Sequence, residues 1–502
     1  MSPLTDAALA KLEALADPER FFTDAGSLAR CTIDGCAPRA GLHVSTVEQV
    51  VEVVRFAAAE NLAVIPYGNS VQLSLGSPPA RYDIALRLCL DSILSYDPRD
   101  LTLSVEAGIQ LNILNQQLRE QRQFLPLDSH FGGFATIGGI LATNSSGPLR
   151  HAFGTARDFL LGLEFVTGEG VRTKSGGRVV KSVAGYDIHK LMIGSFGTLG
   201  IITSANFRTF PLPPVTATYL VRFATLDDAL AFRRAIAASQ LQPRALDIVS
   251  PEAARLLNSL APAGAREYSE EEILEIMERE SKARRERGEP ETFAMTFRPP
   301  SPGFSEKEWT VLVGTGGNEQ VVERHRRDLE TLAHASQAAA FDQARPLRGP
   351  FAQLSEDDCL EWGYVRRFCG AVLHQAPSAA TLKINILPAQ FGQMLGDCGK
   401  ITAQHELPSA VLLRAAGVIY LALLPASQDE GTRQRLAQAC AEIFDAAHRA
   451  GGSAMIEFCP TELKRKVSVW GTPRADLVLM RSLKNEFDPR GILSPGRFYG
   501  GI

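Results

Sequence analysis

The segment KSVAGYDIHKLMIGSFGTLGIIT, residues 181–203, places Gly185, Gly194, Gly197 and Gly200 inside an otherwise apolar run. A core helix avoids glycine, which costs about 1 kcal/mol per residue relative to alanine. A buried strand carries more β-branched residues and fewer hinges. Bare backbone inside a protein is better suited to lining a slot, because glycine adopts φ > 0 and lets main-chain N–H groups approach a ligand. Two further segments share this character, VIPYGNSVQLSLGS (64–77) and FGGFATIGGILATNSSGPLRHAFGTARDFLLGLEFVTGEG (131–170). Successive N–H groups in such loops form concavities for anionic oxygens, and Thr136, Thr143, Asn144, Ser145 and Ser146 add neutral donors. Each glycine alone reads equally well as a tight turn. Three such segments close together point to one extended ligand.

Exclusions narrow the ligand. No G-x-G-x-x-G follows the first strand and no G-x-x-x-x-G-K-[ST] occurs, so neither a Rossmann nor a P-loop site is expected. A large, flat, diphosphate-bearing cofactor lying along several backbone segments fits better. The net charge of −4, with both signs interspersed, gives no nucleic-acid surface. The first residues lack the basic and apolar regions of a signal peptide, and no apolar run reaches the ~18 residues of a membrane span. A cytoplasmic location is therefore expected. The cysteines at 31, 36, 89, 359, 369, 398, 440 and 459 form no C-x-x-C pair. They are expected as small core residues, with no metal or iron–sulfur cluster in the chain.

Periodicity gives the frame. STVEQVVEVVRFAAAE reads as an amphipathic helix capped by Ser45 or Thr46, with Val47, Val50, Val51, Val54 and Ala58 on its apolar face. NLAVIPYG is a strand that stops at Pro66 and Gly68, and LTLSVEAG is another, followed by a helix. The prolines of FPLPP, 210–214, mark a hinge. Beyond it, strands such as TATYLVRFA, RALDIVS, EWTVLVGTG, TLKINILP, VLLRAAG, GVIYLALLP and SAMIEFC alternate with helices, an α+β texture of ferredoxin-like style. Residues 268–291, YSEEEILEIMERESKARRERGEPE, lead with acids and end with bases, as an exposed helical excursion does.

In their order, PYGNS, TIGG, GTARD, TGEG, AGYD and IGSFGTLGIIT resemble the flavin domain of the vanillyl-alcohol oxidase/p-cresol methylhydroxylase (PCMH) family. The tail SVWGTPRADLVLMRSLKNEFDPRGILSPGRFYGGI, with KSVAGYD and GSFGTLG, is similar to the FAD-binding E subunit of bacterial glycolate oxidase. The resemblance implies an α+β protein with an N-terminal helical segment, 1–34, and a two-subdomain, PCMH-type FAD-binding domain, 35–214. A ferredoxin-like substrate or cap domain, 215–475, would follow, with the charged helical insertion near 262–305. The segment 476–502 would pack back on the FAD domain. Pro66, Tyr67, Gly68, Asn69 and Ser70 would cradle the pyrophosphate of FAD. Thr136, Gly138, Gly139, Thr143, Asn144, Ser145, Gly147 and Arg150 would close the other side, and Gly197, Thr198, Gly200, Ile201 and Ile202 would lay a strand against the cofactor. PYGNSVQ holds no histidine for a covalent link, so the FAD is expected to be noncovalent.

The chain departs from the family at one place that matters for chemistry. Relatives that oxidise 2-hydroxy acids carry a metal-binding His-x-Gly-Asp-Gly-Asn-x-His and a later Glu-His-Gly. Here residues 415–427 read AAGVIYLALLPAS, Glu-His-Gly is absent, and Phe196 stands where relatives place a glutamate. Tyr186 and Lys383 remain as catalytic candidates, with Lys181, Arg150 and Arg497 beside them, although support of a phosphate or of the fold is the commoner role for each. Arg497 is expected to dock the tail. The implied function is an FAD-binding component in 2-hydroxy acid oxidation within a complex, passing electrons to flavoprotein and iron–sulfur partner subunits that would hold it at a membrane surface. Two other readings stay open. One is a self-sufficient FAD-dependent dehydrogenase or oxidase of an alcohol or hydroxy acid, and the other is a structural subunit with a vestigial flavin site.

Overall fold

The computed structural model describes residues 6–17, 19–130, 132–178, 186–260, 302–346 and 359–502. Lys181, Gly185 and the charged excursion 268–291 lie outside them. Among the described residues, no helix is long and apolar enough to cross a membrane.

The first sheet is built on three short parallel strands, Ala40–Val44, Ile84–Leu88 and Val64–Tyr67. Its helix, Val47–Glu60, begins where Thr46 accepts from Gln49 N while the Gln49 side chain returns to the cap, and ends at Asn61 with φ 53°. Val50, Val53, Val54, Ala57 and Ala58 form its buried face. Val47 and Val51, expected on that face, sit at its edge and are only half-buried, because the helix leans toward the 53/57 side. The N-terminal segment is not wholly helical as expected. Phe21–Phe22 adds an antiparallel edge strand to Ala40–Val44.

The second sheet is antiparallel, in the order Ile93–Asp97, Thr102–Glu106, Ile201–Arg208, Leu160–Val166, Arg172–Gly176. Its central strand, Ile201–Arg208, follows directly on the glycine-rich turn at 194–200. That strand therefore delivers the turn to the junction between the two small sheets.

The third sheet, begun just after the proline-rich hinge, has eight antiparallel strands. They run in the order Ala340–Gln343, Val215–Phe223, Trp309–Gly317, Ala245–Val249, Ser409–Arg414, Val418–Leu423, Ala380–Asn385, Ser453–Phe458. Period-two alternation sorts its side chains. Ile419, Leu421 and Leu423 join one apolar cluster, while Val418, Tyr420 and Ala422 join another that also contains Leu75 from the loop after Val64–Tyr67. The second face is thus turned toward the first domain. One residue breaks the ladder: Thr381 pairs with Phe458 and Leu382 with Ile456, so Glu457 is the extra residue of a β-bulge. Bulges re-aim side chains, and this one turns Glu457 and Phe458 to the same inward face.

The tail knits the domains together. Lys484 Nζ donates to Asp488 (2.6 Å), to Thr198 O (2.7 Å) and to Leu493 O (2.9 Å), all buried. Ile492 and Ser494 exchange backbone hydrogen bonds with Val64, ahead of the PYGNS loop.

Candidate active site

An open cavity lies among the three glycine-rich segments. Its walls come from residues 65–73, from Ala107 and Gly108, from the helix Ile137–Thr143 with its cap Thr136, and from Phe196, Gly197, Gly200, Ile201 and Ile202. Close backbone approach shapes it. A Cβ on Gly68 would stand 2.9 Å from Thr136 Cβ, and one on Gly138 would stand 2.9 Å from Ala107 Cβ. Ser70 and Phe196, both on the cavity wall, hold left-handed backbones at φ 62° and 56°, and the Phe196 N–H donates to Ala142 O at 2.9 Å. In the wall, Gln72 accepts from the Thr143 hydroxyl (3.0 Å), while its buried Nε2 has no partner among the described residues. A buried amide donor left open on a cavity wall is a ligand contact in waiting. The glycine cradle, the left-handed turns and this free donor fit a dinucleotide flavin.

Beyond Phe196 lies the second domain. Phe196 packs on the apolar cluster that contains Tyr420 and Cys369, and it stacks on Phe498 with Trp470 edge-on at 4.9 Å. Behind this layer is a buried polar group. Glu457 Oε1 faces Lys383 Nζ and His130 Nε2, each at 3.4 Å, and His130 Nε2 also lies 3.3 Å from the Tyr420 hydroxyl. Arg414 is paired with Asp247 and lies over the Tyr420 ring. Burial opposes ionisation of Glu457, but Lys383 and His130 outweigh it and hold the carboxyl at about 2. Burial and the Glu457 charge push the Cys369 thiol well up. His130, Cys369 and Glu457 place ligand atoms within 4.8 Å of one another. Their charge is already met by the Lys383 ammonium, so this group is built as an ion-pair network.

Residues 38–176 match the family described as FAD binding domain, and residues 212–498 match FAD linked oxidases, C-terminal domain. The second match spans more than half of the chain. The chain belongs to the FAD-linked oxidases. It is 23% identical over 465 residues to glycolate oxidase subunit GlcD of Bacillus subtilis, covering 92% of this chain and 89% of that one. To glycolate oxidase subunit GlcE of Escherichia coli it is 34% identical over 197 residues, 39% of this chain and 55% of that one. The fold is shared with p-cresol methylhydroxylase, at a TM-score of 0.71 and 16% identity over 98% of this chain and 96% of the other. An alkyldihydroxyacetonephosphate synthase gives a TM-score of 0.69 at 20% identity, over 98% and 85%.

In this FAD-linked oxidase, the cavity brings together Pro66, Tyr67, Gly68, Asn69, Ser70, Thr136, Gly138, Gly139, Thr143, Gly197, Gly200, Ile201 and Ile202. Five expected neighbours fall outside its lining. Thr198 is fully buried with its hydroxyl on Ser195 O, holding the turn's shape. Gly147 is a glycine because a Cβ would meet the Asp128 carboxyl carbon at 2.7 Å. Asn144, Ser145 and Arg150 run on from the cavity wall toward the second domain. Tyr186 is 91% exposed and is not among the residues that line the cavity. Lys383 belongs to the ion-pair network behind Phe196. Gln72 was not singled out from the sequence, and His130 reads there as an ordinary hydrogen-bonded structural histidine. Only His130's place in a lone-histidine loop could have drawn attention.

Arg497 both lines the cavity and anchors the tail. Its guanidinium donates to Leu73 O (2.6 Å), Leu75 O (2.5 Å) and Ser77 O (3.0 Å). Burial lowers its pKa to about 10, so it stays charged at neutral pH. Arg497→Met leaves three carbonyls without their donor, and the buried one, Leu75 O, alone costs about 1–3 kcal/mol. The expected result is an FAD dissociation constant raised by at least about tenfold, read by flavin fluorescence titration, with Arg497→Lys recovering part of the loss.

Proposed function

We propose that this FAD-linked oxidase is the E-type flavin subunit of a glycolate-oxidase-like complex of the hydroxy-acid dehydrogenase class. It holds FAD noncovalently and passes electrons to partner subunits, one a flavoprotein and one an iron–sulfur protein. What carries the reading is the interface beyond Phe196. In residues 415–427, the stretch that by resemblance corresponds to the metal-binding histidines of relatives that oxidise 2-hydroxy acids, this chain has no histidine or carboxylate, and the neighbouring Arg414 and Lys383 are paired with Asp247 and Glu457. The stretch shared with GlcE and the tail motifs support it further.

Bound FAD supplies the redox chemistry. The residues of this chain supply the bed. Gly68, Asn69 and Ser70 would receive the pyrophosphate on main-chain N–H groups. Gln72, on the wall, would offer its unpartnered Nε2 to the cofactor, and Phe196, Trp470 and Phe498 pack as one aromatic layer. Among the described residues no histidine or cysteine lines the cavity, which supports noncovalent binding.

The test uses the purified chain alone. Its visible spectrum should show oxidised flavin that is released on denaturation. Anaerobic glycolate or D-lactate should leave that flavin oxidised, while dithionite bleaches it. Prompt bleaching by either acid would replace this reading with a self-sufficient dehydrogenase. A colourless protein that FAD cannot reconstitute would instead mark a vestigial site.

A further inference from the structure

Leu73 to Ser77 form a loop that belongs to no helix or strand and leaves the cavity wall at Leu73. Carbonyls in such a stretch find no ladder partners, so side chains must supply the donors. Two cations share them in alternation. Arg497 takes the carbonyls of Leu73, Leu75 and Ser77. Lys464 takes the two between, its Nζ donating to Ser74 O and to Gly76 O (3.1 Å). The Leu75 and Gly76 contacts are buried.

The third Lys464 donor goes to Asp34, at 2.9 Å. An ammonium has three N–H groups, and all three are used. Asp34 stands in the turn between Ile33 and Cys36, with φ 49°. Its other carboxylate oxygen accepts from the Thr461 hydroxyl at 3.2 Å. The Lys464 and Asp34 side chains are only 2% and 5% exposed, so this ion pair is shielded from solvent.

The two cations reach the loop from different parts of the chain. Arg497 belongs to the tail, whereas Lys464 lies on the helix Thr461–Lys464, which follows the edge strand Ser453–Phe458 of the large sheet. The flavin domain therefore does not complete its own loop; the second domain supplies two of the five donors. A displaced loop would carry Leu73 and Gln72 with it, and both line the cavity.

We propose that Lys464 is a positioning residue for FAD. It ties residues 73–77, and through them the Gln72–Leu73 part of the wall, to the second domain. Cofactor binding and the seating of the helix Thr461–Lys464 are thereby coupled. The inference rests on FAD occupying the cavity, and it is independent of where the electrons leave. Coupling of this kind is reciprocal: FAD tightens the helix, and loss of the helix's grip weakens FAD. Phe196 and Phe498 pack on Trp470 without Lys464, so the domains keep a second contact when Lys464 is removed.

The experiment uses the full chain, with and without FAD. Flavin fluorescence titration gives the dissociation constant. Amide hydrogen exchange is followed at 463–467, whose N–H groups are hydrogen-bonded within that turn, and at the helix Ile137–Thr143 on the cavity wall. In the wild type, FAD should slow exchange in both segments. Lys464→Met alone would strand the Asp34 carboxylate, so the variant is Asp34→Asn/Lys464→Met, which keeps an acceptor for Thr461. Its FAD dissociation constant should rise about 30-fold, the weight of one charge-assisted hydrogen bond. At saturating FAD, its helix 137–143 should be protected as in the wild type, while 463–467 gains no protection. Lys464→Arg should recover part of the affinity. Unchanged FAD affinity in the double variant would overturn the proposal. So would FAD protection of 463–467 that survives in that variant, which would make Lys464 a support of the fold alone. Wild-type protein whose 463–467 amides ignore FAD would overturn the coupling whether or not the variant folds. Wild-type protein that takes up no FAD would remove the cavity reading itself, a result distinct from any of these.

Discussion

Gly68→Val should yield a folded but colourless protein. The reason is a close approach and not backbone strain. The Cβ would stand 2.5 Å from Thr136 Cγ2 and 2.9 Å from Thr136 Cβ, so Thr136 must move. Thr136 cannot move freely, because its hydroxyl caps the helix Ile137–Thr143 by accepting from Gly139 N. That cap is worth about 1 kcal/mol, and overpacking a filled site costs about 1–3 kcal/mol. The four large apolar clusters can absorb such a loss. The cavity cannot, since Gly68, Thr136, Gly138 and Gly139 are all parts of its wall. Displacing them should weaken FAD binding by about a hundredfold or more, the equivalent of roughly 3 kcal/mol. Flavin absorbance per protein after gel filtration measures this, with circular dichroism as the folding control. Full flavin occupancy in Gly68→Val would show that the cofactor lies elsewhere.

Part of the cavity wall was legible because some of its causes are local. The threonine that caps its own helix and the PYGNS turn are each written within a few residues, whereas the approach of Gly68 to Thr136 joins two distant segments. Local reading also misled. Gly147 looks like a ligand loop, yet its constraint is Asp128, nineteen positions earlier in the chain. Tyr186 stands next to the glycine-rich run in sequence and faces solvent in space. The parts that were not legible depend on pairing across long separations. Glu457 reaches Lys383 only because the strand 453–458 lies beside 380–385 and bulges at that residue. His130 reaches both from the other domain. Neither the bulge nor the docking has a motif. Arg497 fell between the two cases: its role as tail anchor could be read from SPGRFY, while its place on the cavity wall could not.

Glu457 carries the second large effect. At 4% exposure it is the only carboxylate within 4 Å of Lys383 and His130 among the described residues. Glu457→Leu strands both, and removing one member of a buried pair costs about 3–5 kcal/mol. The double variant Lys383→Met/Glu457→Leu replaces the pair with apolar volume and should recover most of that loss. If the single and double variants are equally destabilised, shape and not charge holds this interface. The pH dependence separates the two further. The Glu457 carboxyl sits at about 2 when folded, against 4.5 for the free group. A depressed acid contributes stability that is fully present above about 4.5 and is lost as pH falls through 2. Wild-type protein should therefore lose stability across that window more steeply than the double variant, the difference approaching about 3 kcal/mol. Parallel acid-unfolding curves for the two proteins would mean that Glu457 is not ionised in the folded chain, and that the network facing Phe196 is held by neutral hydrogen bonds.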